Sequence, residues 1–158
     1  MPDGELICLF VIGEAFESPD STTWIARSKD EGRAWTLQGR LYDKEMDGLD
    51  TSDCLKPTLL HDGSLIAIGY CFHRDDPEMP ISIPDTGGIL PGGDLISFSR
   101  DSGYNWSIPD IIPRGYPELL ELSGPCIQLR SGDLLAAAAL YRMPDGSSPS
   151  GHFGALFA

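Results

Sequence analysis

The segment that decides the fold is Ser28-Lys29-Asp30-Glu31-Gly32-Arg33-Ala34-Trp35, because its pattern S-x-D-x-G-x-x-W recurs as Ser99-Arg100-Asp101-Ser102-Gly103-Tyr104-Asn105-Trp106. Each copy follows an extended stretch, residues 22–27 or 94–98. The Asp carboxylate can accept hydrogen bonds from amides of the turn, and the Gly can take the left-handed conformation that a tight turn needs. The Trp can bury a large apolar surface. The pattern therefore predicts a strand, a tight turn and a further strand.

A second repeated element is a Gly turn that leads into an apolar strand. Its three copies are Pro2-Asp3-Gly4-Glu5-Leu6-Ile7, His61-Asp62-Gly63-Ser64-Leu65-Ile66 and Arg130-Ser131-Gly132-Asp133-Leu134-Leu135. Apolar segments also precede the second and third turns, as expected for β-hairpins. Both elements recur at a spacing of roughly 60 to 70 residues, which marks a structural repeat. Four antiparallel strands per repeat correspond to one blade of a β-propeller.

Composition agrees with an all-β chain. The 158 residues include 18 Gly and 13 Pro, and such dense turn content leaves little room for helices. The formal net charge is −13, which argues against binding of nucleic acid and of anionic membranes. No apolar run approaches the length of a membrane span. Nucleotide-binding and metalloprotease motifs are absent, so no cofactor and no metal is expected.

The eight-residue motif resembles the Asp box, or BNR repeat, of sialidases and their relatives. The resemblance covers nearly the whole chain and implies a six-bladed β-propeller of four-stranded antiparallel blades. The repeat spacing places about two and a half blades in the chain, at approximately residues 1–50, 54–115 and 122–158. We therefore expect a fragment whose remaining blades belong to a longer protein, the alternative being a ring assembled from several copies.

The long connections of this repeat are expected to carry the function. In a four-stranded blade, the Gly turns and the Asp boxes share one end of the sheet, and the other two connections share the opposite end. Long loops on a rigid scaffold are where functional residues concentrate. Asp30 and Asp101 are accordingly interpreted as structural, and Trp35 and Trp106 as packing residues. The long connections are residues 14–21, 41–53, 73–92, 108–124 and 142–151.

Two arginines occupy nearly equivalent positions at the predicted functional end. Arg74 lies 11 residues after Gly63, and Arg142 lies 10 residues after Gly132. Both would therefore follow the second strand of a blade. An Arg side chain can bind a carboxylate through two parallel hydrogen bonds, although the same positions also suit ordinary surface arginines. Tyr141 could line a sugar pocket or simply pack against its neighbours.

The family resemblance implies a mechanism and a set of candidate residues. Sialidases cleave terminal sialic acids with retention, using an Arg triad for the substrate carboxylate, a Tyr–Glu pair as nucleophile and an Asp as acid/base. The partner would then be a glycan, and the protein would be secreted or periplasmic, although Met1–Glu5 lack the basic start of a signal peptide. Matched to this chain, the resemblance suggests Arg74 and Arg142 as members of the triad. Glu118 or Glu121 would activate a Tyr supplied by the missing part. Asp50 or Asp53 would be the acid.

The chain also departs from the family pattern. Leu55-Lys56-Pro57 stands where the family has an R-I-P stretch, and Cys54 and Ser123 stand where a catalytic Glu often lies. Arg74 and Arg142 lie a few residues later than the usual triad Arg. A non-catalytic BNR-repeat propeller that binds glycan or protein is therefore the second hypothesis.

Overall fold

The structure, a computed structural model, is all-β over the part of the chain that it describes, which confirms the all-β part of the predicted fold class. It describes Met1, residues 3–44, 51–115 and 117–148, and the backbone of 152–157. Antiparallel pairing links the strands throughout. The strands are β1 (Leu6–Ile12), β2 (Thr22–Ser28), β3 (Thr36–Arg40), β4 (Thr51–Leu59), β5 (Leu65–His73), β6 (Gly92–Ser99), β7 (Asp110–Ile111), β8 (Leu120–Glu121), β9 (Ile127–Gln128), β10 (Leu134–Leu140) and β11 (His152–Phe157).

The strands form three sheets in chain order. The first sheet has the order β1-β2-β3, and the second has the order β4-β5-β6-β7. The third has the order β11-β10-β8, with β9 also paired to β10. No helix in the described ranges is long and apolar enough to cross a membrane.

The three predicted Gly turns adopt the same geometry. Gly4, Gly63 and Gly132 have φ values of 85°, 86° and 103°, a region that residues with a Cβ atom rarely adopt. In each turn the Gly amide donates to the carbonyl three residues earlier at 3.0 Å. The turns lead directly into β1, β5 and β10, so one local signal starts the corresponding strand in each sheet.

The two S-x-D-x-G-x-x-W turns share a hydrogen-bond network. In the first, Ser28 Oγ donates to Asp30 Oδ1 at 2.8 Å and accepts from the Gly32 amide at 2.8 Å, while Asp30 Oδ1 accepts from the Ala34 amide at 2.9 Å. Ser99, Asp101, Gly103 and Asn105 repeat these three bonds at 2.9 Å each.

Backbone strain accompanies this network at one position in each turn. Glu31 and Ser102 have φ values of 62° and 63°. The Asn105 amides hold the pKa of Asp101 down at about 2. The Asp side chains thus organise the turns.

The two motif tryptophans differ in burial, although both were expected to pack in a core. Trp106 packs against the apolar cluster between the first and second sheets. Trp35 is 46% exposed, because no described element covers its side of the first sheet. The expectation was wrong for Trp35, since a repeated sequence specifies the local turn but not the neighbour that the indole meets.

Strand β5 supplies residues to apolar clusters on its two opposite faces. Ala67 and Cys71 lie in the cluster shared with the first sheet, which also contains Leu9 and Leu55. Ile66 and Ile68 lie in the cluster shared with the third sheet. Successive side chains of a strand point to opposite faces, so the second sheet is packed on both sides.

Candidate functional site

A cleft of about 650 Å³ opens where the start of β4 meets the ends of β1 and β5. This volume lies in the usual range of small-molecule sites. The cleft is at the end of the sheets that carries the long connections. Its lining residues are Phe10–Gly13, Ala15–Glu17, Ser21, Ser52–Cys54, Tyr70, Phe72, Ile81, Ile89 and Tyr141.

Three aromatic rings form one wall of the cleft. Tyr70 and Phe72 alternate along β5 and therefore share a face, and Tyr141 follows β10. The Tyr141 ring lies 5.7 Å from Tyr70 and 5.8 Å from Phe72 between centroids, in edge-to-face arrangements. Such contacts fix the orientation of the rings. Exposed faces of such aromatic rings suit the C–H face of a sugar.

Tyr141 is held as a neutral phenol. Burial raises its pKa most, and a hydrogen bond with Tyr70 and the negative charge of Glu121 raise it further. Glu121 therefore lies close enough to Tyr141 to interact with it. The backbone places the two together, because the Tyr141 amide donates to the Leu119 carbonyl at 2.9 Å, two residues before Glu121.

A buried hydroxyl also lines the cleft. Ser52 is only 3% exposed, and its Oγ has no hydrogen-bond partner among the residues that the structure describes. It lies opposite Phe72, and Cys54 lies opposite Tyr70, across the β4–β5 pair. A buried hydroxyl gains from a hydrogen bond, so Ser52 can bind a polar group of a ligand.

Asp53, predicted as a candidate acid, is bound on all sides. Its carboxylate accepts from Thr22 Oγ1 at 2.9 Å, from the Thr23 amide and hydroxyl at 2.9 and 2.7 Å, and from the Tyr42 hydroxyl at 2.7 Å. Lys44 Nζ lies 2.9 Å from Oδ2. The carboxylate thus joins the first sheet to the second, and proton transfer would compete with these contacts. Asp50, the other candidate acid, lies outside the described residues.

The two predicted arginines line different parts of the structure. Arg74 is only 2% exposed, and its Nη2 donates to the Met79 carbonyl at 3.1 Å. Its Nε and Nη1 atoms have no hydrogen-bond partner in the described part of the chain, and the residue does not line the large cleft. Arg142 is exposed and lines a smaller cleft of about 150 Å³ together with Arg114. The described structure does not bring Arg74 and Arg142 into one cleft.

The two predicted glutamates are both half-buried near the start of the third sheet. The Glu118 carbonyl accepts from Arg114 Nη1 at 2.6 Å. Glu121 Oε1 accepts from Ser123 Oγ at 3.1 Å, and the charge of Glu121 raises the pKa of Tyr141. Within the described ranges, no group of His, Cys, Asp and Glu side chains could hold a metal ion.

Sequence reasoning missed the buried carboxylate of Asp94. This residue of β6 is fully buried, and its Oδ1 accepts from the Leu120 amide at 3.1 Å. Arg114 Nη1 lies 3.3 Å from Oδ2. A comparable link joins the first two sheets, where Thr23 Oγ1 accepts from the Leu55 amide at 3.0 Å. The sequence did contain a signal for this residue, because Asp94 lies inside a predicted strand, where an acidic side chain is unusual.

Asp94 is expected to make stability depend on pH. Burial raises its pKa to about 6, against the lowering effect of Arg114. The folded state then binds more protons than the unfolded state between about pH 4 and 6, so stability falls as the pH rises through this range. Relative to Asp94→Asn, the unfolding free energy should decrease by about 2 kcal/mol from pH 4 to pH 7. Urea unfolding of both proteins at both pH values measures this difference. An equal change of unfolding free energy with pH in wild type and Asp94→Asn would contradict the prediction.

Comparison with known proteins identifies a shared fold. No protein-family model matches this chain, and no curated protein matches it. A solved protein of unknown function from Dyadobacter fermentans DSM 18053 is similar, with a TM-score of 0.62 and 20% sequence identity. The match covers 90% of this chain and 44% of that chain, so this chain spans less than half of that protein's length. At this identity the likeness concerns the fold alone.

Proposed function

We propose that this chain is part of a sialidase-type β-propeller that acts on glycans as an exo-glycosidase. The observation that carries the proposal is the position of Tyr141, which lines an aromatic cleft of about 650 Å³ and whose pKa is raised in part by the negative charge of Glu121. A tyrosine beside a glutamate is the nucleophile arrangement that the family resemblance implies. The cleft would hold one terminal sugar of the substrate.

The propeller part of the proposal rests on the internal repeat. Three antiparallel sheets follow one another in the chain and pack face to face. Gly turns with the same hydrogen bond precede β1, β5 and β10, and the S-x-D-x-G-x-x-W turns of the first two sheets share one network. Repeated sheets of this kind, related by one local geometry, are the building units of a propeller.

The proposed chemistry uses residues of the cleft wall together with Glu121, which lies outside the lining. The sugar ring packs on Tyr70 and Phe72, and Ser52 Oγ binds one of its hydroxyl groups. Glu121 accepts the phenolic proton while the Tyr141 oxygen attacks the anomeric carbon, because a neutral phenol needs a base to act as a nucleophile. Water then hydrolyses the glycosyl–tyrosine intermediate. The acid that protonates the leaving group is assigned to Asp50 or Asp53 by the resemblance alone.

A second candidate function is glycan binding without hydrolysis. The described lining contains neither Arg nor Lys, and its charged members are Glu17 and Asp53. A sialic acid carboxylate would therefore meet no cation in this part of the cleft, whereas a neutral sugar would meet aromatic rings and a hydroxyl group. This observation favours binding of a glycan by its apolar face.

Turnover of fluorogenic glycosides by the full-length protein tests both functions. The panel should contain a sialoside and several neutral glycosides. Under the enzymatic proposal, Tyr141→Phe and Glu121→Gln should each lower kcat about 100-fold or more, whereas Tyr104→Phe, at an exposed tyrosine outside the cleft, should have no effect. Binding of a glycan without any turnover would favour the second function. If the wild-type protein neither binds nor cleaves any of the glycans, both proposals fail.

A further inference from the structure

Cys54 and Lys56 approach each other unusually closely on the cleft side of β4. The two residues alternate along the strand and so share a face, opposite Tyr70 and Ile68 of β5. Lys56 Nζ lies 2.5 Å from Cys54 Sγ. An N–H···O hydrogen bond is about 2.9 Å long, and sulfur is larger than oxygen. The separation is too short for an N–H···S hydrogen bond and too long for a direct sulfur–nitrogen bond, and it suits one bridging atom.

The surroundings of the pair favour an uncharged product. Lys56 is half-buried, and no described carboxylate lies within ion-pair distance of its ammonium group. Keeping an unpaired charge away from water is costly, and a bridge to sulfur would remove that charge. Cys54 lines the cleft, so small oxidants and reductants can reach the sulfur. Ser52, two residues before Cys54 on the same face of β4, carries a hydroxyl group without a hydrogen-bond partner in the described ranges.

We propose that Cys54 and Lys56 form a covalent Sγ–O–Nζ cross-link when the protein meets dioxygen. The thiol and the neutral amine react with one O₂ molecule, which yields the bridge and one water molecule. The S–H bond and one N–H bond break, an S–O and an N–O bond form, and the second oxygen atom leaves as water with the two released hydrogens. Sulfur and nitrogen each lose two electrons, and dioxygen takes up all four.

Reduction by a dithiol reverses the modification. Two dithiol molecules supply the four electrons and four protons, and the products are the thiol, the amine, water and two disulfides. The bridged state removes a thiol from the cleft wall and a positive charge from the adjoining part of β4. The oxidation state of the pair therefore changes what the cleft offers to a ligand, whichever function the cleft serves.

Intact-mass spectrometry of the full-length protein tests the proposal. Protein kept in air should be heavier than dithiothreitol-treated protein by about 14 Da, the gain of one oxygen and loss of two hydrogens, whereas a plain sulfenic acid adds about 16 Da. Fragmentation should place the change on both Cys54 and Lys56. Alkylation with iodoacetamide should label Cys54 only after reduction. Cys8, an exposed thiol, should be labelled in both states.

Lys56→Arg provides the matched control, because it keeps the charge but lacks the amine. This variant should show no mass gain of this size and should leave Cys54 open to alkylation in air. Cys54→Ser should abolish the gain as well. If Cys54 in the wild-type protein is fully alkylated in air, or if it oxidises equally in wild type and Lys56→Arg, the proposal is overturned. Because Lys56→Arg retains Cys54, loss of folding in Cys54→Ser does not affect these comparisons.

Discussion

Asp53→Ala is expected to lower the unfolding free energy by about 3–5 kcal/mol, the usual cost of removing one partner from a buried ionic network. The variant would leave the Lys44 ammonium group and the hydroxyl groups of Thr22, Thr23 and Tyr42 without their shared acceptor. Each buried donor left unpaired adds to the cost. Urea unfolding of the variant and of the wild type measures the difference.

Asp75→Ala provides the control for this prediction, because Asp75 is an exposed acid in a long connection. Its removal should change stability by less than about 0.5 kcal/mol. A fully stable Asp53→Ala protein would contradict the structural role. If that stable variant had also lost turnover of a glycoside, the result would instead support Asp53 as the acid of the reaction.

Arg27→Ala is expected to weaken the contact between the first and second sheets by about 2–4 kcal/mol. The guanidinium group lies 3.1 Å from a carboxylate oxygen of Glu5, donates to the Ser102 carbonyl at 2.5 Å and stacks on the Tyr104 ring at 3.8 Å. The side chain is only 3% exposed. One residue of the first sheet thus binds the S-x-D-x-G-x-x-W turn of the second. Truncation removes all three contacts and leaves a cavity.

Lys29→Ala separates charge from packing in this contact. Lys29 also pairs with Glu5, at 3.0 Å, but its side chain is 73% exposed. Exposed pairs contribute little, so this variant should unfold at nearly the wild-type urea concentration. Equal effects of the two substitutions would show that the Glu5 charge, rather than the buried guanidinium, stabilises the contact. Arg27→Lys should recover only part of the loss, because an ammonium group cannot reproduce the planar stack.

The local structure could be predicted from sequence because its causes are local. Gly63 and Gly132 lie where the turn closes through a left-handed backbone conformation. Ser99 and Asp101 accept hydrogen bonds from backbone amides of their own eight-residue motif. Such contacts depend on residues that are adjacent in the chain. The strand–turn–strand pattern therefore predicts an all-β fold without any information on how the sheets pack.

The candidate site could not be assembled in the same way. Asp53 is saturated by Thr22 and Thr23, about 30 residues away, and the cleft depends on Tyr141 packing against Tyr70 of another sheet. Spacing along the chain does not report which sheets meet or how deeply a side chain is buried. The burial of Arg74 and the pairing of Asp94 with Arg114 were hidden for the same reason.

The two S-x-D-x-G-x-x-W turns have a consequence for how a chain of repeated sheets can lengthen. Glu31 and Ser102 occupy a left-handed conformation that costs a residue with a Cβ atom about 1–2 kcal/mol. The Ser and Asp side chains of the same turn offset this cost with bonds to Gly32 and Gly103 and the amides that follow. The strained residue and the side chains that offset its strain are thus encoded together, within one short stretch of coding sequence. Tandem duplication of that stretch would deliver a finished turn, with no compensating substitution required elsewhere in the gene.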